Sequence, residues 1–60
     1  MSVGILGGGQ LGVMLAESLD ELGASCWLYD PDPAAPAAQR WPERTTTAGW
    51  DNLEALNTFF

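Results

Sequence analysis

The string Gly7-Gly8-Gly9-Gln10-Leu11-Gly12 lies between an apolar run and a leucine-rich stretch, and few folds accommodate that sequence of events. Glycines 7, 9 and 12 satisfy the pattern G-x-G-x-x-G. In that pattern the first glycine permits a tight turn off a strand. The second lets a ligand approach the backbone, and the third lets the following helix pack closely on the strand. The flanks agree. Val3-Gly4-Ile5-Leu6 reads as a short buried parallel strand. Leu11, Leu15, Leu19 and Leu22 recur at helical spacing with Met14 and Ala16 beside them, which predicts a helix over residues 10–22 with an apolar stripe. Glu17, Asp20 and Glu21 fall on its other side as a solvated face, and Gly23 supplies a left-handed stop.

Cys26-Trp27-Leu28-Tyr29 forms a second apolar run, ended by Asp30-Pro31-Asp32-Pro33. Strand, glycine loop, helix and strand make a compact βαβ unit, whose right-handed crossover sets the two strands parallel. Beyond it, Pro36 starts a helical turn through Gln39. Thr45-Thr46-Thr47-Ala48 is a weak third strand, β-branched but poor in apolar content. Asp51 with Glu54 makes a capping box for a last helix whose apolar stripe is Leu53, Leu56 and Phe60. The expected class is α/β: a Rossmann-like parallel sheet of about three strands with helices. The closing Asn57-Thr58-Phe59-Phe60 carries no stop signal, and 60 residues sit near the lower limit for a self-supporting core. Residues 1–60 are therefore expected to be an incomplete domain.

Charge narrows the partners. Eight carboxylates face two arginines, Arg40 and Arg44, for a net charge of −6. Nucleic-acid backbones and anionic membranes both require a basic face, so neither is expected as a partner. No run approaches the length of a membrane span and no charged leader precedes the apolar start, which makes a cytoplasmic location the expectation. No histidine exists to build a triad or a His-based metal site, and no metal site is expected.

A phosphorylated ligand would have to be held mainly by backbone N–H groups, and the helix start behind the glycines offers them. The residues alone leave three readings open. One is a dinucleotide, NAD or FAD, since Asp30 ends the second strand 18 residues after Gly12, near where an acidic residue binds ribose in such folds. Another is a different nucleotide-like ligand. In the third, the glycines serve only the turn and the helix packing.

The longer string Ile5 to Gly12 with Met14-Leu15 resembles the opening of the 5-(carboxyamino)imidazole ribonucleotide synthase family of ATP-grasp enzymes. Tyr29-Asp30-Pro31-Asp32-Pro33 with Ala35-Pro36-Ala37 is similar to that family's second strand and proline-rich sequel, and Ala48 to Leu56 to its third strand and acidic helix start. The resemblance implies a pre-ATP-grasp domain of an enzyme that uses ATP and Mg to carboxylate 5-aminoimidazole ribonucleotide with bicarbonate. It implies that ATP and Mg bind in ATP-grasp domains outside this chain, and that the full-length enzyme is a homodimer. By position, Gly9, Gln10 and Leu11 would meet the ribose-phosphate of the substrate, with Gly7, Gly8 and Gly12 shaping the loop. No residue here would be catalytic, and Asp30 would be a strand-end and turn residue. One departure is Val13, where the family usually carries Arg.

Other positions have plainer readings. Cys26 lacks a His or second Cys nearby and is expected in the core. Trp27 and Tyr29 alternate and should share a face. Trp41 and Trp50 flank the third strand, where they would mark a docking surface for further domains. Arg40 and Arg44 read as surface charges.

Overall fold

A computed structural model describes residues 2–59. Strand β1 (Ser2–Leu6) leads through the glycines into helix α1 (Gln10–Glu21), then strand β2 (Ser25–Asp30). The short helix α2 (Pro36–Arg40), strand β3 (Thr45–Thr47) and helix α3 (Leu53–Phe59) follow. The three strands form one parallel sheet in the order β1-β2-β3. Val3 pairs with Cys26 and Ile5 with Leu28 across β1 and β2, and Leu28 pairs with Thr45 across β2 and β3. The expected α/β architecture is present, including the weak threonine strand. Phe60, expected on the last helix's stripe, lies outside the described residues.

Alternation along the strands divides the sheet's two faces. Ile5, Cys26 and Leu28 point toward α1 and α2, where they form the core with Val13, Ala16 and Ala37. Cys26 is fully buried there, as expected. On the opposite face the Tyr29 ring packs against Trp50 at 5.4 Å and edge-on against Phe59 at 5.5 Å. Its hydroxyl donates to the Gly49 carbonyl at 2.6 Å. Trp27 shares that face but stays half exposed.

Helix α1 meets the sheet through small residues. Val13 and Ala16 are its buried positions, whereas Leu11, Leu15 and Leu22 of the stripe are 50% exposed or more. Gly12 explains the choice. A Cβ there would collide with the Gly7 carbonyl oxygen, so helix and strand cross too closely for leucines at the contact. Leu11, Leu15 and Leu22 turn outward beside the half-exposed Met14 and Leu6, while Leu19, further from the crossing, packs partly buried against the core.

The helix ends are set locally. At the end of α1, Gly23 takes φ +83° and donates to the Asp20 carbonyl while Ala24 donates to that of Leu19. These two bonds make the Schellman closure that the glycine signalled. The start of α3 corrects the sequence reading: Asn52, not Asp51, caps it, accepting from the Ala55 N–H at 3.0 Å. Cap and donor N–H are offset by three residues either way; the helix simply starts one residue later than the Asp51–Glu54 pair suggested.

Candidate functional site

The glycine loop leaves the end of β1 with Gly7 at φ +120°, a conformation that favours glycine, and the Gly7 N–H donates to the Tyr29 carbonyl at 2.7 Å. Gly8 is buried and pinned on both sides. Its N–H donates to the Asp30 carboxylate (Oδ2) at 2.8 Å, and its carbonyl accepts from the Ala37 N–H at 2.9 Å. A Cβ on Gly8 would meet the Cβ atoms of Asp30 and Ala37 at 3.1 and 3.2 Å. The pinning stops at Gly9, the N-cap of α1, which has open space around it.

From Gly9 onward the loop faces outward. Gly9, Gln10 and Leu11 are exposed, and Gly9 to Gly12 supply the first-turn N–H groups that no helix carbonyl satisfies. No side chain caps this end of the helix, and no acidic residue stands in its first turn. Those amides border an open groove of about 480 Å³, walled by Leu6, Leu11 and Leu15. A bank of unpaired donors at the positive end of a helix, beside an apolar wall, suits an anionic group attached to a less polar body. The three residues expected to touch ligand thus lie together on one lip of one groove. Of the three expected to shape the loop, Gly7 supplies the turn, Gly8 the buried anchor, and Gly12 the close crossing.

Asp30 sits behind the loop, where its two oxygens are already engaged. Oδ2 holds Gly8, and Oδ1 accepts from the Asp32 N–H at 2.9 Å. Asp32 repeats the turn, accepting from the Ala34 N–H at 2.9 Å. The Asp-Pro-Asp-Pro stretch is therefore a pair of linked side-chain turns that lays α2 against Gly8. The turn role was legible in the sequence. The reach back to Gly8 was not, because it joins residues 22 apart.

The arginines lie elsewhere and are more than surface charges. Arg40 pairs with Glu17, and Arg44 with Asp20 at 2.8 Å, so part of the face expected to be solvated is cross-linked to α2 and the start of β3. Both guanidiniums stack on Trp41, at 4.6 and 5.2 Å from its ring, and Arg44 Nε donates to the Cys26 carbonyl at 3.0 Å. Trp41 accordingly has partners within the chain, whereas Trp50 remains half exposed. The hydrogen bond from Arg44 holds the Asp20 carboxyl below the ordinary carboxylate range, and the same contact raises Arg44. Among the described residues no helix is long and apolar enough to cross a membrane, and no group of three or more metal-ligating side chains converges.

Comparison with known proteins agrees with this architecture. The chain matches, over residues 1–60, the family described as the ribonucleotide synthetase preATP-grasp domain. It is 41% identical over 56 residues to the N5-carboxyaminoimidazole ribonucleotide synthase of Staphylococcus haemolyticus (strain JCSC1435). That match covers 93% of this chain and 15% of the relative, so the chain spans about a seventh of the relative's length. No solved structure matches. A three-stranded parallel sheet, a glycine loop in its βα turn and a match over the whole sequence together make the chain a member of the ribonucleotide synthetase preATP-grasp family.

Proposed function

We propose that this chain is the N-terminal, substrate-side portion of a cytoplasmic ATP-dependent carboxylase of purine biosynthesis. That enzyme would convert 5-aminoimidazole ribonucleotide, bicarbonate and ATP to the 5-(carboxyamino)imidazole ribonucleotide. The observation that carries the reading is the outward bank of amides at Gly9, Gln10 and Leu11 on the lip of the groove. Backbone N–H groups there would take oxygens of the ribose-phosphate, the Gln10 amide would bond a hydroxyl, and the apolar wall would lie along the rest. Uncharged donors at a helix start allow an acidic chain to hold a phosphate without a lysine.

ATP and Mg do not fit among these residues. Mg-ATP sites need carboxylates converging on the metal and cations around the phosphates, and both arginines here are bound to Asp20 and Glu17. ATP and Mg would therefore act in ATP-grasp domains outside residues 1–60. Leu22 and Trp50, exposed away from the groove, would offer those domains an apolar surface, and the complete enzyme would be a homodimer. A nicotinamide or flavin reading is disfavoured because the Asp30 oxygens point at Gly8 and Asp32 rather than at a ribose site.

The test is a graft. Residues 1–60 replace the matching segment of the Staphylococcus haemolyticus synthase, and each substrate is varied in turn. Gln10→Ala should raise KM for aminoimidazole ribonucleotide about threefold to tenfold, as expected for one neutral side-chain hydrogen bond of about 1 kcal/mol. KM for ATP should barely move. Saturable NAD binding, or an equal loss for ATP and ribonucleotide, would defeat the assignment.

A further inference from the structure

We propose that Asp30 is a positioning residue for the ligand-binding loop: it fixes Gly8 from behind so that the amides of Gly9, Gln10 and Leu11 stay turned outward. The inference rests on the ribonucleotide reading of the loop and adds a residue that does not touch the ligand. Three constraints converge on Gly8. They are the carboxylate on its N–H at 2.8 Å, the Ala37 N–H on its carbonyl at 2.9 Å, and side-chain carbons of Asp30 and Ala37 that crowd the position of any Cβ. With Gly8 fixed and Gly7 tied to Tyr29, the chain enters Gly9 in a single direction.

The choice of a carboxylate has a physical reason. An ionised acceptor binds an N–H about twice as strongly as a neutral one. Its charge would repel a bound phosphate if it faced the groove, but it faces the buried side of the loop. The same carboxylate also orders the Asp32 turn, so one side chain sets both the glycine loop and the approach of α2. Without it the Gly8 N–H loses its acceptor, and the outward bank has several orientations to choose from.

The test uses the grafted synthase described above, in which residues 1–60 have the rest of the enzyme to pack against. Hydrogen exchange of the Gly8 amide is followed by NMR, and aminoimidazole ribonucleotide is titrated in parallel. Asp30→Ala should abolish protection of Gly8 and weaken ribonucleotide binding about tenfold to a hundredfold, the range for a charged hydrogen bond. Asp30→Asn keeps one neutral acceptor oxygen for the two N–H groups of Gly8 and Asp32 and should restore part of both, which keeps the test decisive if the alanine variant does not fold. Gln10→Ala should weaken binding while Gly8 stays protected. Weaker binding in Asp30→Asn with Gly8 fully protected would make Asp30 a direct ligand contact and overturn the proposal. Lost protection with unchanged binding would overturn it too, by showing that the loop needs no anchor. If the unaltered graft binds no ribonucleotide while Gly8 is protected, the ligand reading itself fails, and the positioning role falls with it.

Discussion

Arg44 grips Asp20 with two guanidinium nitrogens, at 2.8 and 3.3 Å, while its Nε donates to the backbone of β2, so one side chain ties helix, strand and the entry to β3. This pairing gives the chain an acid-sensitive contact. The folded-state pKa of Asp20 is depressed, chiefly by the Arg44 hydrogen bond. The unfolded chain, with its carboxyl near the ordinary value of about 3.9, therefore takes up the proton first. The stabilisation is complete above that value and is lost as pH falls through the lower folded value. Thermal melts should show Asp20→Asn less stable than the unaltered chain at pH 7, with the difference closing below about pH 4. A difference that widens in acid would contradict the pairing. Because Asp20 is solvent-accessible, the effect should also shrink in high salt.

Gly12 and Gly9 should separate packing from binding. Alanine at Gly12 would strike the Gly7 carbonyl, which is backbone and cannot yield cheaply. Overpacking of this kind costs about 1–3 kcal/mol, or roughly 4–8 °C in Tm per kcal/mol for a small domain. Serine at Gly9 meets nothing within 4 Å and makes a good N-cap, so stability should hold within about 0.5 kcal/mol or rise slightly. Its side chain would take up first-turn donors, and ribonucleotide binding should fall. Denaturation and ligand titration of both variants would reveal the contrast; a stable Gly12→Ala would refute the close-crossing argument.

The same two glycines mark what was legible in the sequence. Their spacing announced strand, turn and helix, and the βα unit follows from it. The side of α1 that meets the sheet was not legible. Periodicity groups Leu11, Leu15, Leu19 and Leu22, but the close crossing at Gly12 selects Val13 and Ala16 for the core, with Leu19 of the four packed against it. That the proposed site residues Gly9, Gln10 and Leu11 share one lip of the groove was readable for a similar reason: they are neighbours in sequence. The Asp30–Gly8 contact depends on the β1–β2 register, and the Arg44–Asp20 pair on the placement of β3, neither of which a local pattern encodes.

The isolated chain should show no ATP-dependent carboxylase activity. Phosphoryl transfer needs Mg ligands and cations at the γ-phosphate, and the two arginines are committed to Glu17 and Asp20. ADP release with bicarbonate and aminoimidazole ribonucleotide should match that of a Gly9→Asp control. Turnover above that background would show that catalytic groups have been overlooked.

Its melting should be broad. Ordering a residue costs about 1.5 kcal/mol, and for chains of this size apolar burial scarcely offsets the sum. Leu11, Leu22 and Leu53 are at least 74% exposed, so much of the apolar surface contributes nothing to the described core. Calorimetry should give a weakly cooperative transition, or light scattering should show association through these leucines and the sheet edges. A sharp monomeric melt above about 60 °C would overturn this expectation.

The reach of Asp30 back to Gly8 also has a consequence for the order in which the protein assembles. A glycine-rich loop carries little conformational preference of its own, and its anchor arrives 22 residues later. On a chain emerging from the ribosome, the loop would stay unformed until the second strand has been synthesised and has found its register beside the first. Recognition would therefore switch on with the crossover, making ligand binding a late reporter of topology rather than an early property of the motif.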